Sequence, residues 1–266
     1  MTACHAEVVG RTAVRRRITR VDADSVVERP DALAVEEPLE IRVNGEPISV
    51  TMRTPGDDID LALGFLISEG LARPADIRSA TNCDDNVVDI SLVGETPKQR
   101  NFYTTSSCGL CGKDSIDAVR TTTSYDVNQD RAPIDTSTLV TLPDKLRGAQ
   151  RGFDRTGGLH AAGVFRGDQM LCLREDVGRH NAVDKLIGWA VQHDKLPLTG
   201  TVLQVSGRAS FELVQKALMA GIPALAAVSA PTSLAAELAT ESGMTLVGFL
   251  RGASYNIYAG ADRLSV

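Results

Sequence analysis

The sequence predicts an α/β fold with a smaller α+β portion ahead of it, on three observations. The last third alternates strand, helix, strand, helix, strand at close spacing, which implies a largely parallel sheet covered by helices. An Asn-Gly pair between two alternating runs near the N-terminus marks a hairpin followed by a helical pattern. At 266 residues the chain can bury a core without help from disulfides or a metal.

In chain order, 1–35 is polar and mixed in charge, with Arg15, Arg16 and Arg17 together, and reads as an N-terminal arm or loosely held strand. Residues 36–100 form the small α+β portion. There 39–43 alternates, Asn44-Gly45 turns the chain and 48–52 alternates back. Asp57 and Asp58 follow Pro55-Gly56 and can cap a helix carrying Ile59, Leu63 and Leu66, stopped near Gly70. Val87, Val88, Ile90 and Leu92 suggest one more strand. Residues 101–120 are small and polar, a loop containing Cys108-Gly-Leu-Cys111.

The α/β domain is assigned to 121–266. Its first part is weakly patterned, with a Pro-interrupted helical candidate at 137–150. A hairpin follows, 159–165 and 170–174 turning at Gly167-Asp168, and then a helix from about 181 to 193 with Val183, Leu186, Ile187, Ala190 and Val191 on one face. Strands at 201–205, 224–228 and 245–249 alternate with helices at 211–220 and 233–242.

Composition removes several function classes. Lys plus Arg is 28 against 34 for Asp plus Glu, a net charge of −6, so a general nucleic-acid binder is not expected. No apolar run approaches the ~18 residues of a membrane span, and no apolar region follows the arginines as a secretory signal requires. Five cysteines, an odd number, suit functional thiols in a reducing compartment better than a disulfide framework, so the cytoplasm is expected.

Cys108 and Cys111 have four chemical readings. Structural zinc needs two further ligands from a second C-x-x-C or a His pair, but Cys4, Cys83 and Cys172 stand alone, as do His5, His160, His180 and His193. A thioredoxin-like pair would sit at a helix start after the first strand of a βαβ unit, and here the α/β alternation begins far downstream. Deaminase chemistry needs H-x-E before P-C-x-x-C, which is absent. The fourth reading is a cysteine that carries sulfur or another group on an accessible loop, its thiolate favoured by a nearby cation such as Lys113. Two loop cysteines without a role remain the bland alternative. No metal site is expected.

Two further constellations stand out. Ser206-Gly207-Arg208 follows one strand and opens a helix, Ser229-Ala-Pro-Thr-Ser233 repeats the arrangement, and Arg251 ends a third strand. Ligands of open α/β sheets lie beyond strand carboxyl ends, where helix N-termini favour anions and arginine forks suit phosphate. For either loop alone an ordinary cap with solvated arginines is the favoured reading; the two loops and the third strand-end arginine together favour an anionic ligand. The run Arg174 to Asn181 packs polar groups around Gly178, making His180 a candidate for binding or proton transfer. His160 could be a satisfied core histidine, and Cys172 reads as packing.

At TTSSCGLCGK, TGGLHAAG, REDVGRHNAVDKLIG, SGRASFELVQKA and GFLRG, the chain resembles the formate dehydrogenase accessory sulfurtransferase family, FdhD/NarQ. The segment EEPLEIRVNGEPISVTMRTPGDDIDLALGFLISEGL is similar to that family's N-terminal part, so the resemblance covers 35–266. It implies a cytoplasmic sulfurtransferase. Such a sulfur carrier takes sulfur as a cysteine persulfide from a cysteine desulfurase and passes it to the molybdenum cofactor, bis(molybdopterin guanine dinucleotide), for formate dehydrogenase. Cys108 matches the persulfide position and Cys111 its partner. Phe249, Leu250, Arg251, Gly252, Ala253 and Ser254 match the cofactor-binding segment, to which the strand-end and polar-turn residues Ser206, Gly207, Arg208 and His180 are added. A guanine nucleotide is the expected mimic of that cofactor. The family also implies a homodimer and a cytidine-deaminase-like mixed sheet with helices on both faces and no zinc site. The alternative is a chaperone that binds and delivers the molybdenum cofactor without transferring sulfur itself.

Overall fold

The structure is a computed structural model that describes residues 7–8, 12–94, 96 and 123–265. The segment read as a polar arm contains a three-stranded antiparallel sheet, β1 (Glu7–Val8), β2 (Ala13–Asp22) and β3 (Ser25–Ala34). The pairing of β2 with β3 runs unbroken from Ala13↔Ala34 to Asp22↔Ser25. Its sequence shows no alternation because most of both faces is in solvent, Val21, Val26 and Val27 included. A strand with no buried face has no reason to alternate.

The α+β portion follows as expected. Strands β4 (Glu37–Val43) and β5 (Glu46–Arg53) form the hairpin, with Asn44 and Gly45 at φ of 52° and 83°, the paired positive values of a type I′ turn. Helix α1 (Asp58–Ser68) covers a four-stranded sheet of order β5-β4-β7-β6, where β6 is Ile77–Asp84 and β7 is Val87–Leu92. Leu39, Ile41, Val43, Val88 and Ile90 face Leu61, Leu63, Phe65 and Leu66 in one core. The cap differs from expectation. Asp57 lies in the left-handed region and makes no capping bond, while Asp58 is taken by the buried Arg53, 3.0 Å away. Strand β6 escaped the sequence because it is a polar edge strand with most residues exposed.

The segment 101–120, with Cys108 and Cys111, lies outside the described residues. The chain is described again from Thr123, whose hydroxyl donates to the Leu218 carbonyl.

The helical candidate at 137–150 resolves into α2 (Thr136–Leu139), preceded by the short β8 (Ile134–Asp135), and α3 (Leu142–Ala149); α4 (Arg151–Thr156) follows. Then come β9 (His160–Arg166), β10 (Gln169–Asp176), α5 (Arg179–Gln192), β11 (Val202–Val205), α6 (Phe211–Met219), β12 (Ala224–Ala227), α7 (Ser233–Glu241), β13 (Thr245–Arg251), β14 (Ser254–Ala259) and β15 (Leu264–Ser265), which pairs with β8.

Strands β9 to β14 make a six-stranded sheet of order β10-β9-β11-β12-β13-β14. The expectation of a largely parallel sheet is corrected: only β11, β12 and β13 are mutually parallel. Hairpins attach an antiparallel pair at one edge and a single antiparallel strand at the other, so the sheet is mixed. Alternate residues face opposite sides. Leu203, Val205, Leu225 and Leu246 meet α5, α6 and α7, whereas Val202, Ala224, Ala226 and Val247 meet Leu142 and Leu146 of α3. The α/β reading with helices on both faces therefore holds.

The two parts meet where α1 crosses α5. A Cβ on Gly64 would fall 1.7 Å from the Asp184 carbonyl oxygen, and one on Gly188 would fall 1.8 Å from that of Asp60. Only glycine lets the two backbones come this close. Buried polar groups tie the same contact: Lys216 Nζ donates to Ser68 Oγ at 2.8 Å and lies 2.9 Å from Asp184, and Lys185 lies 2.8 Å from Asp176. No described helix is long and apolar enough to cross a membrane.

Candidate functional site

Three parallel strands end on one side of the sheet, and a cavity of about 560 Å³ opens there. Ser206 closes β11, Val228 closes β12, and Leu250, Arg251 and Gly252 end β13 and begin the turn into β14. The opposite wall comes from α3, α4 and the start of β9 through Leu146, Arg147, Gln150, Phe153, Leu159 and His160. Such a volume lies within the range of small-molecule sites, with apolar walls and a few convergent polar groups.

Local irregularities of β13 aim the Arg251 segment. Its pairing with β14 slips between Gly248 and Arg251, and Phe249 adopts a φ of 53° while its N–H donates to the Ser229 carbonyl. A bulge re-aims the residues that follow it. Leu250 is fully buried here, and Arg251 lies along the rim with its Nε donating to the Val228 carbonyl at 2.7 Å. That bond fixes one edge of the guanidinium. The remaining N–H groups of Arg251 have no partner among the described residues, which suits them to an anion.

Ser206 does not cap α6. Its hydroxyl accepts the Ala161 N–H at 2.8 Å, stitching β11 to β9 at the cavity mouth. The caps are Ser210, without a side-chain bond, and Thr232, whose hydroxyl accepts the Ala235 N–H. The helix starts therefore stand away from the cavity, and the strand ends themselves line it.

Of the residues singled out in the sequence, Ser206, Leu250, Arg251 and Gly252 come together in the cavity wall. Gly207 is beside it, near enough that a Cβ would touch His160. Phe249, Ala253 and Ser254 flank the lining segment with Ala253 and Ser254 exposed, and Arg208 is exposed on the neighbouring loop. His180 is not in the lining. Its Nε2 is 3.3 Å from Ser210 Oγ and 3.8 Å from Glu212. Cys108 and Cys111 lie outside the described residues.

Both histidines are held neutral. Burial, with Arg179 adding to it, pushes His160 below the ordinary imidazole range. Burial pushes His180 to about 4, assisted by the charges of Lys216 and Arg179. Arg179 is half-buried, and its Nε is enclosed without a hydrogen-bond partner among the described residues. This enclosed N–H, beside two neutral histidines, is a donor that an incoming acceptor would satisfy. Cys172, by contrast, is pushed up to about 12 by burial and is no nucleophile.

Sequence reasoning passed over Arg147, Gln150 and Phe153, because 121–158 is weakly patterned, and left His160 undecided. The one available signal was the i, i+3 spacing of Asp144, Arg147 and Gln150, which puts all three along the cavity. Among the described residues no group of His, Cys, Asp and Glu could hold a metal ion.

Comparison with known proteins agrees with this architecture. The chain is 56% identical to the sulfur carrier protein FdhD of Streptomyces coelicolor, over 97% of its own length and 98% of that protein's. It is 54% identical to the protein of the same name from Mycobacterium tuberculosis, over 97% and 100%, and 42% identical to the one from Sulfolobus acidocaldarius, over 94% and 98%. A crystal structure of a candidate formate dehydrogenase accessory protein from Desulfotalea psychrophila superposes with a TM-score of 0.79 over 96% of this chain and all of that one, at 22% identity, and so shares the fold. The FdhD/NarQ family model matches residues 34–265. The chain belongs to the FdhD/NarQ family.

Proposed function

We propose that this protein is a sulfurtransferase. It accepts sulfur from a cysteine desulfurase as a persulfide on Cys108 and delivers it to the molybdenum cofactor, bis(molybdopterin guanine dinucleotide), in the service of formate dehydrogenase. The observation that carries the reading is near full-length similarity to relatives named sulfur carrier proteins, in a chain that keeps a C-x-x-C pair.

The chemistry balances with two thiols. The Cys108 thiolate attacks the outer sulfur of the desulfurase persulfide, a new S–S bond forms, and the old one breaks with its electron pair leaving on the desulfurase thiolate. Delivery requires that the carried sulfur be reduced to sulfide. The Cys111 thiolate supplies the pair by attacking the Cys108 sulfur: sulfide leaves, and a Cys108–Cys111 disulfide remains for an external thiol to reduce. Cofactor is substrate in this scheme. The strand-end cavity would take one nucleotide-bearing arm of it, with Arg251 toward phosphate and His160 as a neutral hydrogen-bonding group.

Intact-mass spectrometry after incubation with cysteine and a cysteine desulfurase tests the carrier. A gain of one sulfur mass in the wild type, removed by reductant and absent from Cys108→Ala, is the expected result. No gain with an active, cognate desulfurase would favour a cofactor chaperone that transfers no sulfur itself.

A further inference from the structure

The ribbon of β2 and β3 stands clear of the cores, fixed only at its base. There Ala13 is buried, the Arg155 guanidinium donates to the Thr12 hydroxyl at 2.8 Å, and a Cβ on Gly158 would fall 3.3 Å from Ala34. From that base ten cross-strand pairs run out into solvent, and Val21 and Val26, opposite one another near the tip, are 71% and 69% exposed. A two-stranded ribbon alone in water is marginal, and contiguous exposed apolar surface marks an interaction site. Cross-strand pairs share a face, so one face carries Arg15 with Ala32, Arg17 with Pro30, Thr19 with Glu28 and Val21 with Val26. Charge is divided along it. Arg15 and Arg17 lie at the base, next to the exposed Arg151 and Arg155 of α4, and the turn at the tip holds Asp22 and Asp24. Little within the ribbon neutralises either end. Arg17 meets Glu28 only at 3.9 Å and Asp22 meets Arg20 at 3.1 Å, all four side chains exposed, while Arg15 and Asp24 have no ion-pair partner among the described residues.

We propose that this face of the ribbon is the contact surface for the ribbon of a second copy of the chain, laid against it base to tip. A face positive at one end and negative at the other, with Thr19, Val21 and Val26 between, complements itself when turned through a two-fold axis. Asp22 and Asp24 of each copy then meet Arg15 and Arg17 of the other, each charge contact occurs twice, and the valines are covered. Each tip also comes to rest beside the other copy's α4, whose Phe153 lines the strand-end cavity, so the mouth of each cavity is flanked by the other copy's ribbon. Ribbons of ten residues, about 33 Å long at ~3.3 Å per residue, bury on the order of 1,000 Å² in total when stacked in this way. That is small for a specific interface, so the pair is dissociable and its charges make it sensitive to salt.

Sedimentation velocity of the full-length protein over a range of concentrations tests it. Two charge-reversed variants are compared with the wild type: Arg15→Asp with Arg17→Asp at the base, and Asp22→Arg with Asp24→Arg at the tip. The wild type should form a dimer whose dissociation constant rises about tenfold between low and high salt. Either variant alone should associate at least about tenfold more weakly, because like charges then face each other in both contacts. An equimolar mixture of the two should recover the wild-type constant, since base and tip are again opposite in sign at both ends. Both variants should melt as the wild type does, the substituted side chains lying in solvent and outside the cores. A wild type that stays monomeric at every concentration would overturn the proposal and leave a different protein as the ribbon's occupant. Variants that dimerise undiminished would place the contact between copies elsewhere, and a mixture no tighter than its components would refute the base-to-tip pairing.

Discussion

His180 was singled out for the polar residues around it in sequence, and the fold gives it a different task from the one that crowding suggested. It packs against Ser210 and Glu212 near Lys216, and burial moves its titration from 6.5 to about 4. At neutral pH it is an uncharged hydrogen-bonding group. In the unfolded chain the same side chain takes up its proton at the ordinary value. The unfolded state is therefore favoured as pH falls through that window. The stability contribution is complete above 6.5 and is lost progressively as pH drops toward about 4. Between about pH 7.5 and about pH 5 the loss is on the order of 2 kcal/mol. Urea denaturation at the two pH values should show a larger drop for the wild type than for His180→Gln. Equal drops would show that His180 is not the group responsible.

Among the elements, the crossing of α1 and α5 decides how the two parts of the molecule fit. Alanine in a helix interior is ordinarily better than glycine by about 1 kcal/mol. At Gly64 and Gly188 packing wins instead, because the added methyl would overlap a backbone carbonyl that cannot rotate away. Gly64→Ala and Gly188→Ala should each lower stability by about 1–3 kcal/mol or more, read as a fall in the urea midpoint. A midpoint that stayed or rose would mean that the helices are further apart than described. This contact also shows what a sequence conceals. The hairpin at Asn44-Gly45, α1 and the α/β alternation were legible because each has a buried face or a turn pair that imposes a pattern. The crossing joins residues far apart in the chain, and nothing local distinguishes Gly64 from a helix-weakening glycine. The ribbon of β2 and β3, the polar edge strand β6 and the edge strand β14 stayed hidden for related reasons, whereas the β9–β10 hairpin was read from its turn. The site divides likewise: Ser206 and Arg251 were legible as strand ends, whereas Gln150 and Phe153 acquire meaning only when α3 and α4 fold over them.

On the scale of the whole molecule, the proposed cofactor cavity and Thr123, where the described chain resumes, lie at opposite ends of the parallel strands. Ser206, Val228 and Arg251 follow the carboxyl ends of β11, β12 and β13. Thr123 is bonded to Leu218 at the close of α6, on the side where β12 begins. Four residues of strand separate the two ends, about 13 Å at ~3.3 Å per residue, with the closely packed core between them. Loading uses the Cys108 thiol and docking the strand-end cavity, and the two should be separable by mutation. Arg251→Ala should weaken GDP binding about tenfold, as loss of a charge-assisted contact does, while Cys108 still gains its sulfur in the presence of desulfurase and cysteine. Cys108→Ala should lose the sulfur gain entirely and bind GDP as the wild type does. Calorimetry and intact-mass spectrometry on the same two preparations decide it. If either substitution removed both properties in a protein that still melts cooperatively, loading and docking would share one site.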